Sequence, residues 1–266
     1  MDLSMEVQGR NAAENFRDKH GLGQGALGDL ISLINQTTGH DVAVIDADED
    51  EHGLAMTDPL RERVFVGVAK TNRPMRQRST LAHELAHLVF ADHSENLAER
   101  KPLETRADAF ARHLLIPQQG LKQFLGEIGH VEESHLSQVV QHFLVSPPIA
   151  AIALREAGFI GDETKSEWMR LSTPFLATKF GWRDFYAALQ LESSKRRAPQ
   201  GLVARAVRGY MEGVLNIQVI ATLQGRSEND VLAEFDNEGI FPRSLDLDAI
   251  EFDDLPELGA DFDGNR

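Results

Sequence analysis

Cysteine is absent from the 266-residue chain. Its absence excludes disulfide bridges, thiolate nucleophiles and metal sites with Cys ligands. The chain also lacks a run of about 18 consecutive apolar residues, which a membrane-spanning helix requires, and its N-terminus lacks a basic segment followed by an apolar one. We therefore expect a cytoplasmic protein without a membrane segment. Any metal ion in such a chain must be bound by His and carboxylate side chains.

Positive charge is scarce relative to negative charge. Asp and Glu number 42 against 27 Lys and Arg, which gives a formal net charge of −15. A chain of this charge repels phosphate backbones and anionic membranes at long range. The negative charge is concentrated in residues 46–51, with five acids, and in residues 245–266, with eight acids and one base. Blocks of like charge are typical of solvated loops and tails, so we predict a flexible acidic tail at 245–266.

The apolar pattern predicts an α+β fold. Apolar residues make up 42% of the chain, which suffices for a sizeable core. Three short β-rich runs between residues 42 and 68 indicate a small antiparallel sheet. Helical periodicity and the positions of prolines predict helices over residues 74–90 and 102–116. The sheet is expected to pack on these helices, and a mostly helical C-terminal region follows.

Residues 83–87 read His-Glu-Leu-Ala-His, an H-E-x-x-H motif. On a helix, His83 and His87 lie one turn apart on the same face, so both imidazoles can bind a single metal ion. Glu84 lies about 100° round the helix, beside the metal, where a carboxylate suits the general base that takes a proton from water. The apolar residues of this helix lie on the opposite side. The motif therefore predicts a zinc site with Glu84 as the catalytic residue.

A catalytic zinc site needs a third protein ligand, and two candidates compete. His93 has the spacing of the longer motif H-E-x-x-H-x-x-G-x-x-H, but Phe90 stands where that motif turns sharply at Gly. Glu104 lies on the next predicted helix, four residues before Asp108, so the two acids share a face. We prefer Glu104 as the ligand, with Asp108 accepting a hydrogen bond from a ligand histidine. His113 is expected on the opposite, solvent-facing side of that helix.

Two segments carry a family resemblance. Residues 78–87 read RSTLAHELAH and residues 104–117 read ETRADAFARHLLIP. They resemble the ImmA/IrrE family of bacterial zinc peptidases, whose pattern is AHELxH followed by ExxAxxFAxxLLxP, and the resemblance extends over about residues 10–160. It implies that Glu104 is the third zinc ligand. Arg106 departs from the family, in which a second Glu is frequent at this position, and we expect no contact of Arg106 with the metal.

The resemblance also implies a function. Members of this family cleave a helix-turn-helix repressor and thereby release a stress or mobile-element programme. We therefore predict a hydrolase, a zinc metalloendopeptidase whose protein substrate is a transcriptional repressor. The alternative is a DNA-binding or scaffolding regulator in which the metal site is structural.

The sequence suggests four regions. Residues 1–120 form the predicted zinc metallopeptidase domain, and 121–160 form a helix-turn-helix-like pair of helices packed on it. The second helix of that pair offers a single base, Arg155, which is too few for reading DNA, so DNA binding is the less favoured role. Residues 161–244 form a helical C-terminal region, and 245–266 form the acidic tail.

One segment of the helical region is basic. No acid occurs between Ser193 and Met211, and the bases of this segment form a possible partner-binding patch: Lys195, Arg196, Arg197, Arg205 and Arg208. The patch could contact DNA, an acidic protein surface or the acidic tail of this chain, although runs of charge are most often solvated. We predict that the tail screens the patch or docks on it.

Overall fold

A computed structural model describes residues 4–47, 54–58, 63–92 and 97–243; at 54–58, 63 and 97–100 it describes the backbone alone. In chain order its elements are α1 (Met5–Lys19), α2 (Leu30–Thr38), β1 (Asp41–Ile45), β2 (Leu54–Asp58), β3 (Arg63–Ala69), α3 (Pro74–Phe90), α4 (Leu97–Leu115), α5 (Gln118–Leu125), α6 (Glu133–Phe143), α7 (Pro147–Glu156), α8 (Asp162–Trp168), α9 (Thr173–Lys179), α10 (Arg183–Ser193), α11 (Gln200–Met211), α12 (Ile217–Gln224) and α13 (Glu228–Glu238). Helices predominate beside one small sheet, which confirms the predicted α+β class.

The sheet differs from the predicted antiparallel one. Its strand order is β1-β3-β2. β2 pairs with β3 antiparallel, but β1 pairs with β3 parallel, with Val42 opposite Val66 and Val44 opposite Val68. The prediction of an all-antiparallel sheet was therefore wrong. The apolar pattern of a short strand fixes which side chains are buried but is the same for both directions, so it could not reveal that β3 lies between β1 and β2.

The helices that follow the sheet position the site. α3 packs on α4, and α1 packs along α4. The shared core contains Leu85 of α3, Phe110 and Leu114 of α4, and Phe16 of α1. This shared core sets the distance between α3 and α4 and thereby the separation of the side chains on their outer faces.

α6 and α7 are the two helices of the segment predicted to be helix-turn-helix-like. Their apolar faces are buried in the same core, including Leu136, Val140 and Leu154. In the part of the chain that the structure describes, no single helix is long and apolar enough to cross a membrane; α6 and α7 reach that length and composition only together, and they are bent by 109°.

The chain divides into two compact units, residues 1–202 and 203–266. The described part of the second unit contains most of α11 together with α12 and α13. Its small core consists of Ala206, Tyr210, Ile220, Ala221, Val231 and Phe235. The four-region division inferred from the sequence stays a prediction, and the acidic tail lies outside the described residues.

Candidate metal centre

α3 carries three of the predicted site residues. Pro74 stands in the first turn of the helix, where its missing N–H costs little. Leu85 and Ala86 are buried against the core, and this fixes the rotation of the helix about its axis. His83 and His87 therefore lie on the side away from the core, and both are half-buried.

The two imidazoles and a carboxylate from α4 converge on one point. Nε2 of His83 lies 3.1 Å from Nε2 of His87 and 3.0 Å from Oε2 of Glu104. Nε2 of His87 lies 3.9 Å from the same Glu104 oxygen. Zinc–ligand bonds of about 2.0–2.2 Å in a tetrahedral site place ligand atoms about 3.3–3.6 Å apart. The three observed distances lie on either side of this range, two shorter and one longer, so small shifts of the side chains would let the three donor atoms hold a small divalent cation.

The other nitrogen of each imidazole faces an aspartate. Nδ1 of His83 lies 2.9 Å from Oδ1 of Asp108, and Nδ1 of His87 lies 3.2 Å from Oδ2 of Asp92. If each Nδ1 carries the proton and donates a hydrogen bond to its aspartate, both Nε2 atoms present lone pairs to each other. Two lone pairs and a carboxylate oxygen in contact repel one another unless a cation lies between them. The donor chemistry of the site thus fits a bound metal ion.

Glu84 is placed beside these donors and away from bulk water. It is 7% exposed. Burial raises the pKa of Glu84 to about 7; the nearby charge of His83 lowers the pKa, and that of Glu104 raises it further. A carboxylate with a pKa near neutrality is suited to accept and return a proton at physiological pH.

A cleft of about 880 Å³ opens onto the site. One wall is formed by α3 and α4. Ile149 and Ile152 of α7 also line it, as do Arg76 and Arg112. The sequence did not indicate that α7 borders the site, because nothing in its composition links it to a motif about 60 residues earlier in the chain.

His113 is not exposed to solvent, contrary to the expectation from the helical wheel. It is 3% exposed, because α1 packs on that side of α4. Its Nε2 lies 3.1 Å from Oε1 of Glu6 and 3.8 Å from Oε2 of Glu156. These three side chains also converge as metal ligands do, but the guanidinium of Arg112 contacts both carboxylates. Arg112 thus supplies the positive charge that a metal ion would otherwise bring.

Three bases of the predicted patch have acidic partners within the first unit. Arg196 lies 3.4 Å from Asp46, and Lys195 lies 3.5 Å from Glu192. Arg197 also contacts Glu192, and its backbone pairs with Val44 at the free edge of β1. These ion pairs reduce the positive charge that this segment offers to a phosphate backbone.

The structure describes only some of the remaining predicted residues. Arg205 and Arg208 belong to the second unit, where Arg208 is exposed and Arg205 half-buried. His93, the alternative third ligand, lies outside the described residues, as does the tail that we predicted to dock on the patch.

Comparison with known proteins identifies the domain that holds this site. A family model described as the IrrE N-terminal-like domain of peptidase family M78 matches residues 37–155. These residues are an M78 peptidase domain. The match confirms the resemblance to the ImmA/IrrE family over these residues and supports a peptidase of that type, with a polypeptide as its substrate. The M78 domain spans from the end of α2 to Arg155 and includes His83, Glu84, His87 and Glu104. No curated protein matches the chain.

Proposed function

We propose that this M78 peptidase is a zinc-dependent endopeptidase that cleaves a helix-turn-helix transcriptional repressor. The observation that carries the proposal is the convergence of Nε2 of His83, Nε2 of His87 and Oε2 of Glu104 beside the buried carboxylate of Glu84. This is a set of three protein ligands with a potential base next to it, as catalytic zinc sites have.

The chemistry follows from the roles of these side chains. His83, His87 and Glu104 would hold the zinc ion, and Asp108 would orient His83. A zinc ion held there supplies Lewis acidity toward a peptide carbonyl and a water molecule. Glu84 removes the proton from the attacking water and returns it to the amine of the leaving fragment. Burial of Glu84 serves both steps, since a group with a pKa near neutrality exchanges its proton readily in either direction.

The cleft fits an extended peptide. Its volume of about 880 Å³ lies toward the upper end of the range of about 300–1,000 Å³ for ligand sites. Ile149 and Ile152 offer apolar contact for side chains next to the cleaved bond, while Arg76 adds a positive charge. The repressor as substrate rests on the resemblance to the ImmA/IrrE family, and the regulatory role in a stress or mobile-element response rests on it too.

The test uses the purified full-length protein with zinc and a helix-turn-helix repressor encoded beside its gene. We expect cleavage at one or a few sites, loss of cleavage in Glu84→Gln, and unchanged zinc content in that variant. Glu14→Gln is the matched control, because Glu14 is an exposed acid of α1 that is not among the residues lining the cleft. Cleavage by Glu84→Gln at the rate of the unchanged protein would overturn the assignment. Degradation of casein but not of the repressor would indicate a general protease instead.

A further inference from the structure

The end of α3 places Asp92 next to a predicted metal ligand. Ala91 adopts a left-handed backbone conformation with φ of 52°, which reverses the chain after the helix. The backbone N–H of Asp92 then donates to the carbonyl of His87 at 3.0 Å, while Oδ2 of Asp92 lies 3.2 Å from Nδ1 of the same residue. Asp92 is thus tied to His87 through both its backbone and its side chain.

Arg106 of α4 contacts the other carboxylate oxygen of Asp92. Its guanidinium lies 3.9 Å above the ring of Phe90 and within 3.4 Å of Gln8 on α1. These contacts hold Arg106 in one orientation, because the planar guanidinium is packed on one face and bonded at its edge. The pair of Asp92 and Arg106 therefore links the end of α3 to α4 and α1.

Burial distinguishes Asp92 from Asp108. The side chain of Asp92 is 9% exposed and that of Arg106 is 15% exposed, whereas the side chain of Asp108 is 71% exposed. Water competes little for a buried carboxylate, so its hydrogen bond to an imidazole constrains the ring more strongly. Since both Asp92 oxygens have partners and the carboxylate faces Nδ1, Asp92 is directed away from the convergence point at Nε2.

We propose that Asp92, held by Arg106, is the positioning residue of His87: it keeps the proton on Nδ1 and directs Nε2 toward the metal. This rests on the metal site of the proposed function. It also gives Arg106, the residue that departs from the family pattern, a role through Asp92 rather than at the metal. Partners of this kind contribute about 10- to 100-fold to metal affinity.

The test measures zinc affinity of the full-length protein by competition with a chromophoric chelator. We expect Asp92→Ala to weaken zinc binding about 10- to 100-fold and Asp92→Asn, which keeps the volume, to weaken it less. Asp18→Ala, at an exposed Asp of α1, should leave the affinity unchanged. Arg106→Gln should also weaken zinc binding. Because Arg106 acts through Asp92, Asp92→Ala should lower the zinc affinity by a smaller factor in the Arg106→Gln protein than in the unchanged protein.

A second readout separates positioning from folding. We expect the absorption spectrum of the Co²⁺-loaded protein to change in Asp92→Ala, since the ligand geometry changes. Unfolding of the unchanged protein and of Asp92→Ala, both kept metal-free by a chelator, then measures how much stability the substitution removes apart from the metal. Unchanged zinc affinity and an unchanged Co²⁺ spectrum in Asp92→Ala would overturn this proposal alone. A wild-type protein that binds no zinc would overturn the proposed function together with it.

Discussion

Gly9 of α1 lies directly against the carbonyl oxygen of Arg106 in α4: a Cβ at position 9 would stand 2.5 Å from that oxygen and 2.7 Å from Cβ of Ala109. The two helices approach so closely only because position 9 has no side chain. α4 carries Glu104 and Asp108, so the contact of α1 with α4 supports the helix that supplies the third predicted ligand.

Replacing Gly9 by Ala should therefore destabilise the protein. The added methyl group meets backbone that cannot rotate away, and overpacking of this kind costs about 1–3 kcal/mol. Urea unfolding of Gly9→Ala measures the loss. Gly129→Ala is the control, because a Cβ there meets nothing within 4 Å and the change should stay within about 0.5 kcal/mol. Equal stability of the two variants would show that α1 adjusts its position.

The juxtaposition of His83, Glu84 and His87 in the candidate site could be predicted from the sequence because it is local. His83, Glu84 and His87 lie within five residues of one helix, and helical spacing alone puts the two imidazoles on one face. Glu104 and Asp108 were predicted as a pair for the same reason, and the structure brings both to His83. The spacing of residues along the chain could not predict the distance between the two helices, because that distance depends on how their apolar faces pack.

The features of the site and its surroundings that the sequence did not reveal depend on residues distant in the chain or on irregular backbone. Asp92 reaches His87 through the left-handed turn at Ala91, a conformation that Ala rarely adopts and that no pattern signals. Ile149 lines the cleft from α7, far away in the sequence. The helical wheel placed His113 toward solvent because the wheel of one helix shows nothing of the helix that packs on it, here α1 with Glu6.

Arg17 is expected to be essential for the stability of the first unit. It is 1% exposed and donates to the carbonyls of Leu114, Gly23 and Gly25 at 2.8, 2.7 and 3.1 Å. Burial lowers the pKa of Arg17 to about 10, so the side chain stays charged at neutral pH. Arg17→Met keeps the apolar stem but leaves the carbonyls without donors, at a cost of about 1–3 kcal/mol for each that stays dry.

Arg10→Met is the control for that change, since the Arg10 side chain has no hydrogen bond or ion pair with the residues that the structure describes. Chemical unfolding of both variants should show a loss for Arg17→Met well above that for Arg10→Met. If the two losses are equal, water replaces the guanidinium at all three carbonyls and the hydrogen bonds of Arg17 contribute no net stability.

Glu104 and His93 can be separated as third ligands by metal content. Oε2 of Glu104 lies 3.0 Å from Nε2 of His83, so Glu104→Ala removes a donor atom directly at the convergence point. We expect zinc affinity to fall by more than about 100-fold, because loss of a ligand exceeds the 10- to 100-fold loss of an outer partner. His93→Ala should retain zinc. The measurement is the zinc content per chain after gel filtration. Zinc retained in Glu104→Ala but lost in His93→Ala would make His93 the ligand.

The cluster around His113 should make the protein sensitive to acid. Burial lowers the pKa of His113 below its ordinary value of 6.5; the hydrogen bond to Glu6 raises it, the charge of Arg112 lowers it, and the charges of Glu156 and Glu6 raise it. Since the net shift is downward, the unfolded chain binds a proton at His113 below pH 6.5 while the folded protein does not. Stability must then fall as the pH drops from 6.5 toward the pKa of the folded state.

Protonation of Glu6 also destabilises the folded protein, but at lower pH. Burial alone would raise its pKa, but the hydrogen bond and charge of Arg112, with those of His113, outweigh burial and lower it. Its stabilisation is therefore present above pH 4.5 and is lost as the pH falls through its lowered pKa. Unfolding of the protein and of His113→Gln, measured from pH 7.5 to 5, tests the effect of His113.

In His113→Gln the amide can still donate to Glu6 but does not titrate. The free energy of unfolding of this variant should change less with pH between 6.5 and 5 than that of the unchanged protein. Comparison of the two proteins cancels the titrating groups that do not contact His113, including His83, whose raised pKa acts in the opposite sense. A pH dependence identical in both would mean that His113 binds protons equally in the folded and unfolded chains, and that its burial under α1 has no electrostatic consequence.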